Sequence, residues 1–408
     1  MPKQILLLFA LSMYVAAIFA DEIFVVNSES RTLSKIDLET GAVNNSFTQL
    51  GLTPNLMYVE QDWIYVALSG ANSIQMIDRN TGSTARNIFI ASSVNPWDVV
   101  KEGDYLYVSG LFTDKVYKIS LQTYSVVSQL SVGVSPEGLA VHNGKLYVCN
   151  TGGYASGYAN STIAVIDLQS FNVLKTIPVW TNPQDLRVYG DQLHVVCTGN
   201  WGSINGAVDI IDTITDESIN RIAVGGNPWS IWISPQGTGF LGEGLNSGVY
   251  SYNADTYTLL NGSSNPLFPG AIMLHGTDKK IALLSANWGQ NGVVYLRNSD
   301  WTAISQFTVA LLPTDIWFYQ SDVAGSDEIA PITPMQIYPN PVGRNGILNI
   351  KSSYVNTETL TIYNLKGQKV FSGNIQRGEN AISLPQMGVG SGVHFYRTRQ
   401  SKGKFIVY

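Results

Sequence analysis

The chain has 408 residues, of which 13% are charged, and a formal net charge of −6, whereas charged residues usually make up about a quarter of a globular protein. Nucleic-acid binding requires a cationic surface that displaces counterions from phosphates, and the acidic balance without any basic run excludes that class. The 38 Gly, 21 Tyr, 14 Phe and 9 Trp residues are typical of turn-rich β structure, because aromatic side chains suit a pleated, half-buried surface.

The first 20 residues have the pattern of a secretory signal peptide. Lys3 supplies the positive start, residues 5–20 are apolar, and small residues allow cleavage after Ala17 or Ala20. The alternative is an uncleaved membrane anchor, but the run is short for a membrane span and no stop-transfer flank follows. Nothing later in the chain is apolar over a membrane-spanning length, so we expect an exported mature chain without a transmembrane segment.

The chain then repeats a unit that begins with a Pro-containing turn and continues through four short strands. The clearest copies read PWDVVKEGDYLYVSG, PEGLAVHNGKLYVCN and PQDLRVYGDQLHVVC. The anchor prolines lie 42, 40, 47, 45, 41 and 44 residues apart, and they are Pro54, Pro96, Pro136, Pro183, Pro228, Pro269 and Pro313. A four-stranded propeller blade needs about 40–45 residues, so each interval predicts one blade.

The two ends of this region complement each other. Residues 23–52 supply a second, third and fourth strand without a first, and TDIWFYQSDV after Pro313 is a first strand with nothing after it. Pairing them completes a seventh blade and removes the exposed sheet edges of an open array. The predicted fold class is therefore all-β, with a seven-bladed β-propeller over residues 21–323 and a linker over residues 324–334.

The hairpin between the third and fourth strands has a turn signature of its own. Asp37, Asp78, Asp167 and Asp212 each open such a turn. An Asp at this place accepts hydrogen bonds from backbone N–H groups two residues on. The alternative, calcium binding, would need a D-x-D-x-D ladder with a closing Glu. We interpret these Asp residues as structural.

The motifs LYVCN at 146–150, IAVID at 163–167 and NSIQMIDRNTG at 72–82 resemble the YVTN-type propeller repeat, which also resembles NHL and quinoprotein-like propellers. The resemblance covers residues 21–323, and the repeat that begins at Pro269 departs from it most. It implies the propeller fold and leaves the function open, because propellers host many functions.

Propeller geometry predicts which residues meet at one mouth of the central channel. The residue after each anchor Pro lies on that face: Asn55, Trp97, Glu137, Gln184, Trp229, Gly270 and Thr314. The loops between second and third strands share the face, and three of them are enlarged, over residues 150–161, 198–207 and 285–292.

These two groups supply the predicted ligand-binding residues, which are Trp97, Glu137, Tyr154, Gln184, Trp201, Trp229 and Trp288. Aromatic faces beside carboxylate and amide groups suit a glycan, a peptide or a small cationic ligand. The alternative is that the Trp side chains only pack between blades.

The sequence supports catalysis less than it supports binding. The His residues at 142, 194, 275 and 394 occupy unrelated positions, and neither a nucleophile elbow nor a Ser-His-Asp arrangement can be assembled. We expect structural His residues, no metal and no cofactor. The positions four residues after the anchors are Tyr58, Val100, Ala140, Arg187, Trp232 and Trp317. Arg187 is the cation among them, and we expect it to form a salt bridge with Asp185 or Asp98.

Three functions stay open on this sequence. The first is a non-enzymatic binding or interaction protein that uses the aromatic rim. The second is an extracellular hydrolase, lyase or quinone-type oxidoreductase, which should show ionisable groups clustered in the channel. The third is a structural role in a surface layer. The sequence favours the binding protein.

The two cysteines, Cys149 and Cys197, lie near the ends of second strands in neighbouring blades. A disulfide needs Cα atoms within roughly 7 Å, whereas packed sheets lie about 10 Å apart. We therefore expect two free, buried thiols rather than a bridge.

Residues 335–408 are predicted to form a small antiparallel β-sandwich. The motif residues in it are Tyr338, Pro339, Asn340 and Pro341, the run IYNLKGQ at 362–368 with Gly367, Gly378-Glu379-Asn380, and Gly392-Val393. These motifs resemble the type A C-terminal sorting domain of type IX secretion in Bacteroidetes-like bacteria. The resemblance implies passage through the outer membrane by the type IX machinery, removal of this domain, and then release or attachment to surface lipopolysaccharide. The alternative is a generic adhesive β-sandwich.

Overall fold

The structure is a computed structural model that describes residues 21–244, 248–320, 335–352, 358–376, 378–387, 389–398 and 402–408. The chain divides into two compact units, Met1–Val323 and Ala324–Tyr408. The predicted signal peptide and linker lie outside the described residues. Across the described ranges, no helix is both long and apolar enough to cross a membrane.

The described part of the first unit is built from short β-strands and turns, with a single-turn 3-10 helix at Tyr154–Ser156. Strands β1 to β14 are Glu22–Asn27, Thr32–Asp37, Val43–Gln49, Pro54–Val59, Trp63–Leu68, Ser73–Asp78, Thr84–Phe89, Pro96–Glu102, Tyr105–Gly110, Lys115–Ser120, Ser125–Ser131, Pro136–His142, Lys145–Asn150 and Thr162–Asp167. Strands β15 to β28 are Asn172–Pro178, Pro183–Tyr189, Gln192–Cys197, Ala207–Asp212, Glu217–Ala223, Pro228–Ile233, Thr238–Glu243, Val249–Asn253, Thr258–Asn261, Met273–Gly276, Lys280–Ser285, Asn291–Asn298, Ala303–Leu311 and Pro313–Tyr319.

These strands form four-stranded antiparallel sheets. Sheets 2 to 7 each use four consecutive strands: β4–β7, β8–β11, β12–β15, β16–β19, β20–β23 and β24–β27. Sheet 1 has the order β28-β1-β2-β3, so it joins the two ends of the region. Val25 of β1 lies opposite Ile316 of β28. This is the pairing that the two complementary sequence fragments predicted.

The first strand of each sheet contacts the first strand of the next sheet, and β28 contacts both β24 and β4. We call these seven strands (β4, β8, β12, β16, β20, β24 and β28) the inner strands. Burial follows from this arrangement. The second strand β13 is almost wholly buried, whereas the fourth strand β15 is mostly exposed. Each apolar core lies between two neighbouring sheets, as where Tyr65 and Ile74 pack with Leu106 and Val108.

Three Asp side chains tie the inner strands together where the register of pairing shifts. A β-bulge near the start of an inner strand takes backbone N–H groups out of the ladder, and the carboxylates of neighbouring sheets accept them. Asp98 Oδ2 accepts from Leu139 N at 2.9 Å, Asp185 Oδ2 from Ile231 N at 3.0 Å, and Asp315 Oδ2 from Met57 N at 2.7 Å. These bonds join sheets 3 and 4, 5 and 6, and 1 and 2.

The Asp-opened hairpins have the structural role that their sequence predicted. Asp78 Oδ1 accepts hydrogen bonds from the backbone N of Asn80 at 3.0 Å and of Thr81 at 2.8 Å, and Asp37 binds Glu39 and Thr40 in the same way. The hydrogen bond from the backbone of Thr81 is the first cause that holds the pKa of Asp78 below its usual value.

Two glycines in equivalent hairpins offer a matched test of the contact between sheets 1 and 2. Gly41 and Gly82 have φ of 72° and 74°. A Cβ at Gly41 would meet nothing within 4 Å, whereas one at Gly82 would lie 2.4 Å from the Phe47 carbonyl oxygen. We expect Gly41→Ala to cost about 1 kcal/mol for the left-handed backbone, and Gly82→Ala about 1–3 kcal/mol more for overpacking. Urea unfolding measures both variants; equal losses would contradict the close packing at Phe47.

Cys149 and Cys197 are free and buried, as predicted. Both belong to the apolar core between sheets 4 and 5. Burial raises the pKa of each thiol well above its usual value, so both stay protonated and act as small apolar side chains.

The second unit is a small two-sheet structure. Its strands β29 to β35 are Met335–Tyr338, Ile347–Ser352, Glu358–Asn364, Lys369–Ile375, Gly378–Ser383, Gly392–Arg397 and Lys402–Val407, with the short helix α1 at Leu384–Met387. The sheet orders are β29-β30-β33 and β32-β31-β34-β35. Buried side chains from both sheets, among them Leu348, Ile362 and Phe405, form an apolar core of their own.

Candidate functional site

A cavity of about 410 Å³ lies between the inner strands. All seven inner strands contribute to its lining, from Asn55 on β4 to Trp317 on β28. The volume is in the range of pockets that hold small molecules. We call this cavity the channel site.

Most positions expected at the mouth of the channel do line it. Of the residues that follow an anchor Pro, the lining includes Asn55, Trp97, Glu137, Gln184, Trp229 and Thr314. Gly270 is not part of it. Of the positions four residues after an anchor, Tyr58, Val100, Ala140, Arg187 and Trp317 line the site. Three residues of extended chain separate the two levels, which is about 10 Å.

Trp232 departs from this pattern. It is 6% exposed and stacks on Phe240, with ring centroids 5.8 Å apart. Its ring extends towards sheet 7, where a Cβ added at Gly276 would lie 3.1 Å from Trp232 Cη2. The missing side chain at Gly276 leaves the space that the indole fills, so Trp232 packs between sheets instead of facing the channel.

Glu137 is the most unusual side chain in the lining. It is 7% exposed, and its Oε2 atom has no hydrogen-bond partner. Burial raises the pKa of this carboxyl to about 8. A buried carboxyl without a partner opposes folding once it ionises, and such groups are concentrated at functional sites.

Three further carboxyls line the site. The sequence predicted Asp98 and Asp185 only as partners of Arg187, and it did not predict Asp315. Burial is the main cause that raises the pKa of Asp98 to about 7, of Asp315 to about 8, and of Asp185 in the same direction. Each of them nevertheless accepts two backbone N–H groups. Asp98, for example, binds Val99 N at 2.7 Å in addition to Leu139 N. The available signal was the tripeptide Pro-x-Asp, which occurs at three of the seven anchors.

Arg187 is the only Lys or Arg among the described residues that line the channel site. Its Nη1 atom donates to Asp185 Oδ1 at 2.7 Å and to the Leu186 carbonyl oxygen at 2.8 Å. The salt bridge to Asp185 predicted from the sequence is therefore present. One paired cation faces four carboxyl groups, so the lining is acidic.

The enlarged loops place aromatic side chains beside the channel site. Trp201 and Trp229 flank Gly244, where an added Cβ would lie 2.8 Å from Trp201 Cη2 and 3.2 Å from Trp229 Cδ2. Trp229 Nε1 donates to the Ile272 carbonyl oxygen at 3.0 Å, so this side chain also has a packing role. Burial raises the pKa of the Tyr158 hydroxyl, and the Trp201 side chain acts in the opposite direction.

The two remaining rim residues lie further out. The Tyr154 ring makes an edge contact with Tyr158, with centroids 6.1 Å apart. Tyr154 is 81% exposed and Trp288 is 84% exposed, and neither lines the cavity. The structure thus brings Trp97, Glu137, Gln184 and Trp229 into one site, with Trp201 beside it.

His275 is packed and hydrogen-bonded inside the first unit. His275 stacks on Trp317 with ring centroids 4.8 Å apart, and its Nδ1 atom accepts from Phe318 N at 3.2 Å. Burial, followed by the charge of Arg187, lowers its pKa to about 3, so this imidazole is neutral. Over the described ranges, no group of three or more His, Cys, Asp or Glu side chains is placed to hold a metal ion.

The sorting motif of the second unit lies where β29 ends. Tyr338 is the last residue of β29, and Asn340 reaches the C-terminal strand β35: its Oδ1 atom accepts from Ile406 N at 3.0 Å and its Nδ2 donates to the Lys404 carbonyl oxygen at 3.2 Å. Gly367 lies in the hairpin between β31 and β32, where its N–H donates to the Asn364 carbonyl oxygen at 2.9 Å.

The fold and these sites define an all-β, propeller-like protein with a separate C-terminal β-unit. Residues 336–407 match the family described as "Secretion system C-terminal sorting domain". The sorting domain predicted from the motifs around Tyr338 and Gly367 is therefore confirmed. The match indicates a secreted or cell-surface protein that interacts with the type IX secretion machinery.

Comparisons of the whole chain with known proteins do not identify a family. No curated protein matches the chain. Hydrazine synthase of Kuenenia stuttgartiensis is 19% identical over 69% of this chain and 80% of that chain, with a TM-score of 0.44. The computationally designed Ika8 protein is 10% identical over 86% of this chain and 96% of that chain, with a TM-score of 0.49. Similarities at this level carry no argument about function.

Proposed function

We propose that this chain is a secreted or surface-exposed binding protein that holds a small ligand in the channel site. The sheets act as the blades of one closed, seven-bladed propeller of YVTN type over residues 21–323. The observation that carries the proposal is the cavity of about 410 Å³ lined by Trp97 and Trp229 and by Glu137, whose Oε2 atom has no hydrogen-bond partner. Aromatic faces supply contact area, and a few polar groups fix the orientation of a ligand.

The proposed export route uses both ends of the chain. Residues 1–20 direct the chain through the inner membrane, the linker over 324–334 separates the two units, and a type A sorting domain over 335–408 directs passage through the outer membrane. The sorting domain is then removed, and the propeller is released or attached to surface lipopolysaccharide.

An extracellular hydrolase or lyase is the second candidate. The observation in its favour is the set of four buried carboxyls in one cavity, because carboxyls with a raised pKa near neutrality can act as general acids or bases. Asp98, Asp185 and Asp315 each bind two backbone N–H groups, which favours a structural role. Glu137 alone is left for chemistry, so we favour binding.

A thermal-shift screen of the purified full chain against small polar compounds, short glycans and short peptides tests the proposal. We expect at least one compound to raise the unfolding temperature, since a ligand that binds only the folded state stabilises it. Trp97→Ala should abolish that shift, and Trp288→Ala, at an exposed position outside the cavity, should retain it. Loss in Trp288→Ala with retention in Trp97→Ala would place the ligand on the loops and overturn the channel site.

A further inference from the structure

We propose that the ligand of the channel site is an organic cation, a protonated or quaternary amine, whose charge pairs with Glu137 while indole faces pack against its carbon atoms. This inference rests on the proposed binding function and names the chemical class of the ligand. Three properties of the lining support this inference. They are the polar group that lacks a hydrogen-bond partner, the sign of the charge, and the number of aromatic side chains.

One carboxylate oxygen in the lining, Oε2 of Glu137, has no hydrogen-bond partner, and it can accept a hydrogen bond or pair with a positive charge. Asp98, Asp185 and Asp315 each have both carboxylate oxygens bonded to backbone N–H groups. Glu137 differs, because Oε2 has no partner although the side chain is more than nine-tenths buried. A ligand with an N–H donor or a full positive charge would supply the missing partner.

The charge of the lining disfavours anions. The guanidinium of Arg187 is already paired with Asp185, so an anionic ligand would meet three further carboxyls, Asp98, Glu137 and Asp315, within the same cavity. A neutral glycan would have the amides of Asn55 and Gln184 to bind, but it has no charge to pair with Glu137 when this carboxyl ionises. A cation compensates that charge.

The aromatic content suits the same class of ligand. Trp97 and Trp229 line the site at the level of Glu137, and Tyr58 and Trp317 line it one level deeper, with ring centroids 5.6 Å apart. Indole is the most effective aromatic partner for a cation, and desolvation strengthens the interaction. Aromatic walls with one carboxyl are the combination that a quaternary ammonium group requires.

Binding of a cation should release a proton. Burial keeps the Glu137 carboxyl mostly protonated at pH 7, because its pKa is about 8. Pairing with a cation favours the ionised form. Affinity for the cation should therefore rise between pH 6 and pH 8. The other charged groups in the lining are Asp98, Asp185, Arg187 and Asp315. Burial raises the pKa of Asp98 to about 7 and of Asp315 to about 8, so loss of the proton release in Glu137→Gln is what assigns the proton to Glu137.

Calorimetry on the full chain with isosteric probe pairs tests this inference. The probes are choline against 3,3-dimethylbutanol, and n-butylammonium against n-butanol, each in two buffers of different ionisation enthalpy. We expect an ammonium probe to bind with release of about one proton at pH 7, and its neutral isostere to bind at least about tenfold more weakly.

Variants complete the test. Glu137→Gln should weaken the ammonium probe about 100-fold, whereas Glu217→Gln, at an exposed position on β19, should change nothing. Equal affinity for charged and neutral probes, or an unchanged affinity in Glu137→Gln, overturns the cation while leaving the binding function intact. Absence of binding by every charged probe, together with a thermal-shift hit among neutral compounds, has the same meaning. If no compound of either experiment binds, the proposed function fails as well.

Discussion

Replacing Glu137 by Gln should make the first unit more stable at pH 8, by on the order of 4 kcal/mol, and the gain should vanish near pH 4. The carboxyl has an ordinary pKa of 4.5 and a folded-state pKa of about 8, and burial is the cause. One pKa unit corresponds to about 1.4 kcal/mol. A raised folded-state pKa gives stability that is fully present below pH 4.5 and is lost as the pH rises through 8. Gln has no charge to bury, so it escapes that loss.

Urea unfolding at pH 4, 6 and 8, followed by Trp fluorescence, measures this effect. All nine Trp residues lie between positions 63 and 317, so the signal reports on the first unit and not on the sorting domain. The difference between Glu137→Gln and the original chain should grow steadily with pH. A difference that does not depend on pH would mean that the Glu137 carboxyl is not buried without a partner.

Asp98→Asn is the matched control, because it also removes one buried carboxylate from the channel. Its two oxygens accept Val99 N at 2.7 Å and Leu139 N at 2.9 Å. Asn offers a single acceptor, so one backbone N–H loses its partner, at a cost of about 1–3 kcal/mol. At pH 4, where burial of an ionised carboxyl costs little at either position and Glu137→Gln should be close to neutral, we expect Asp98→Asn to destabilise the protein. A loss in Asp98→Asn without a loss in Glu137→Gln would separate a carboxyl that joins two sheets from one retained for binding.

The sequence predicted the fold where a local rule repeats. Six of the seven anchor Pro residues begin an inner strand. The register of that strand brings the next residue to the channel, which is why the sequence alone located Trp97, Glu137 and Gln184. The pairing of β1 with β28 followed from the same repeat, because one fragment lacked the strand that the other contained.

The remaining features of the site depend on neighbouring sheets, and a single repeat does not encode them. Whether Glu137 has a hydrogen-bond partner depends on the side chains of the other inner strands. The sequence does not give the distances from those side chains to the Glu137 carboxyl. The orientation of Trp232 depends on Gly276, 44 residues later, which leaves space in sheet 7. The structural role of Asp98 depends on a bulge in β12, where pairing with β13 shifts between Pro136 and Leu139.

Deleting residues 335–408 should leave the first unit folded and prevent its appearance outside the cell. The second unit has its own apolar core, and the cores between sheets 1 to 7 consist of residues of the first unit, so we expect the first unit to fold without it. Export depends on the sorting domain that residues 336–407 match. In a bacterium with a type IX secretion system, immunoblots of cell fractions should find the truncated chain in the periplasm, with its urea unfolding curve unchanged. Normal amounts of the truncated chain in the medium would show that the C-terminal unit is dispensable for export.

Asn340→Ala tests the motif inside that domain more finely. Asn340 holds the C-terminal strand through Ile406 N at 3.0 Å and the Lys404 carbonyl oxygen at 3.2 Å. Its loss should loosen β35 and reduce export, whereas Asn374→Ala, exposed on β32 of the same unit, should not. Equal export of the two Asn variants would separate the hydrogen bonds of Asn340 from the signal that the secretion machinery recognises.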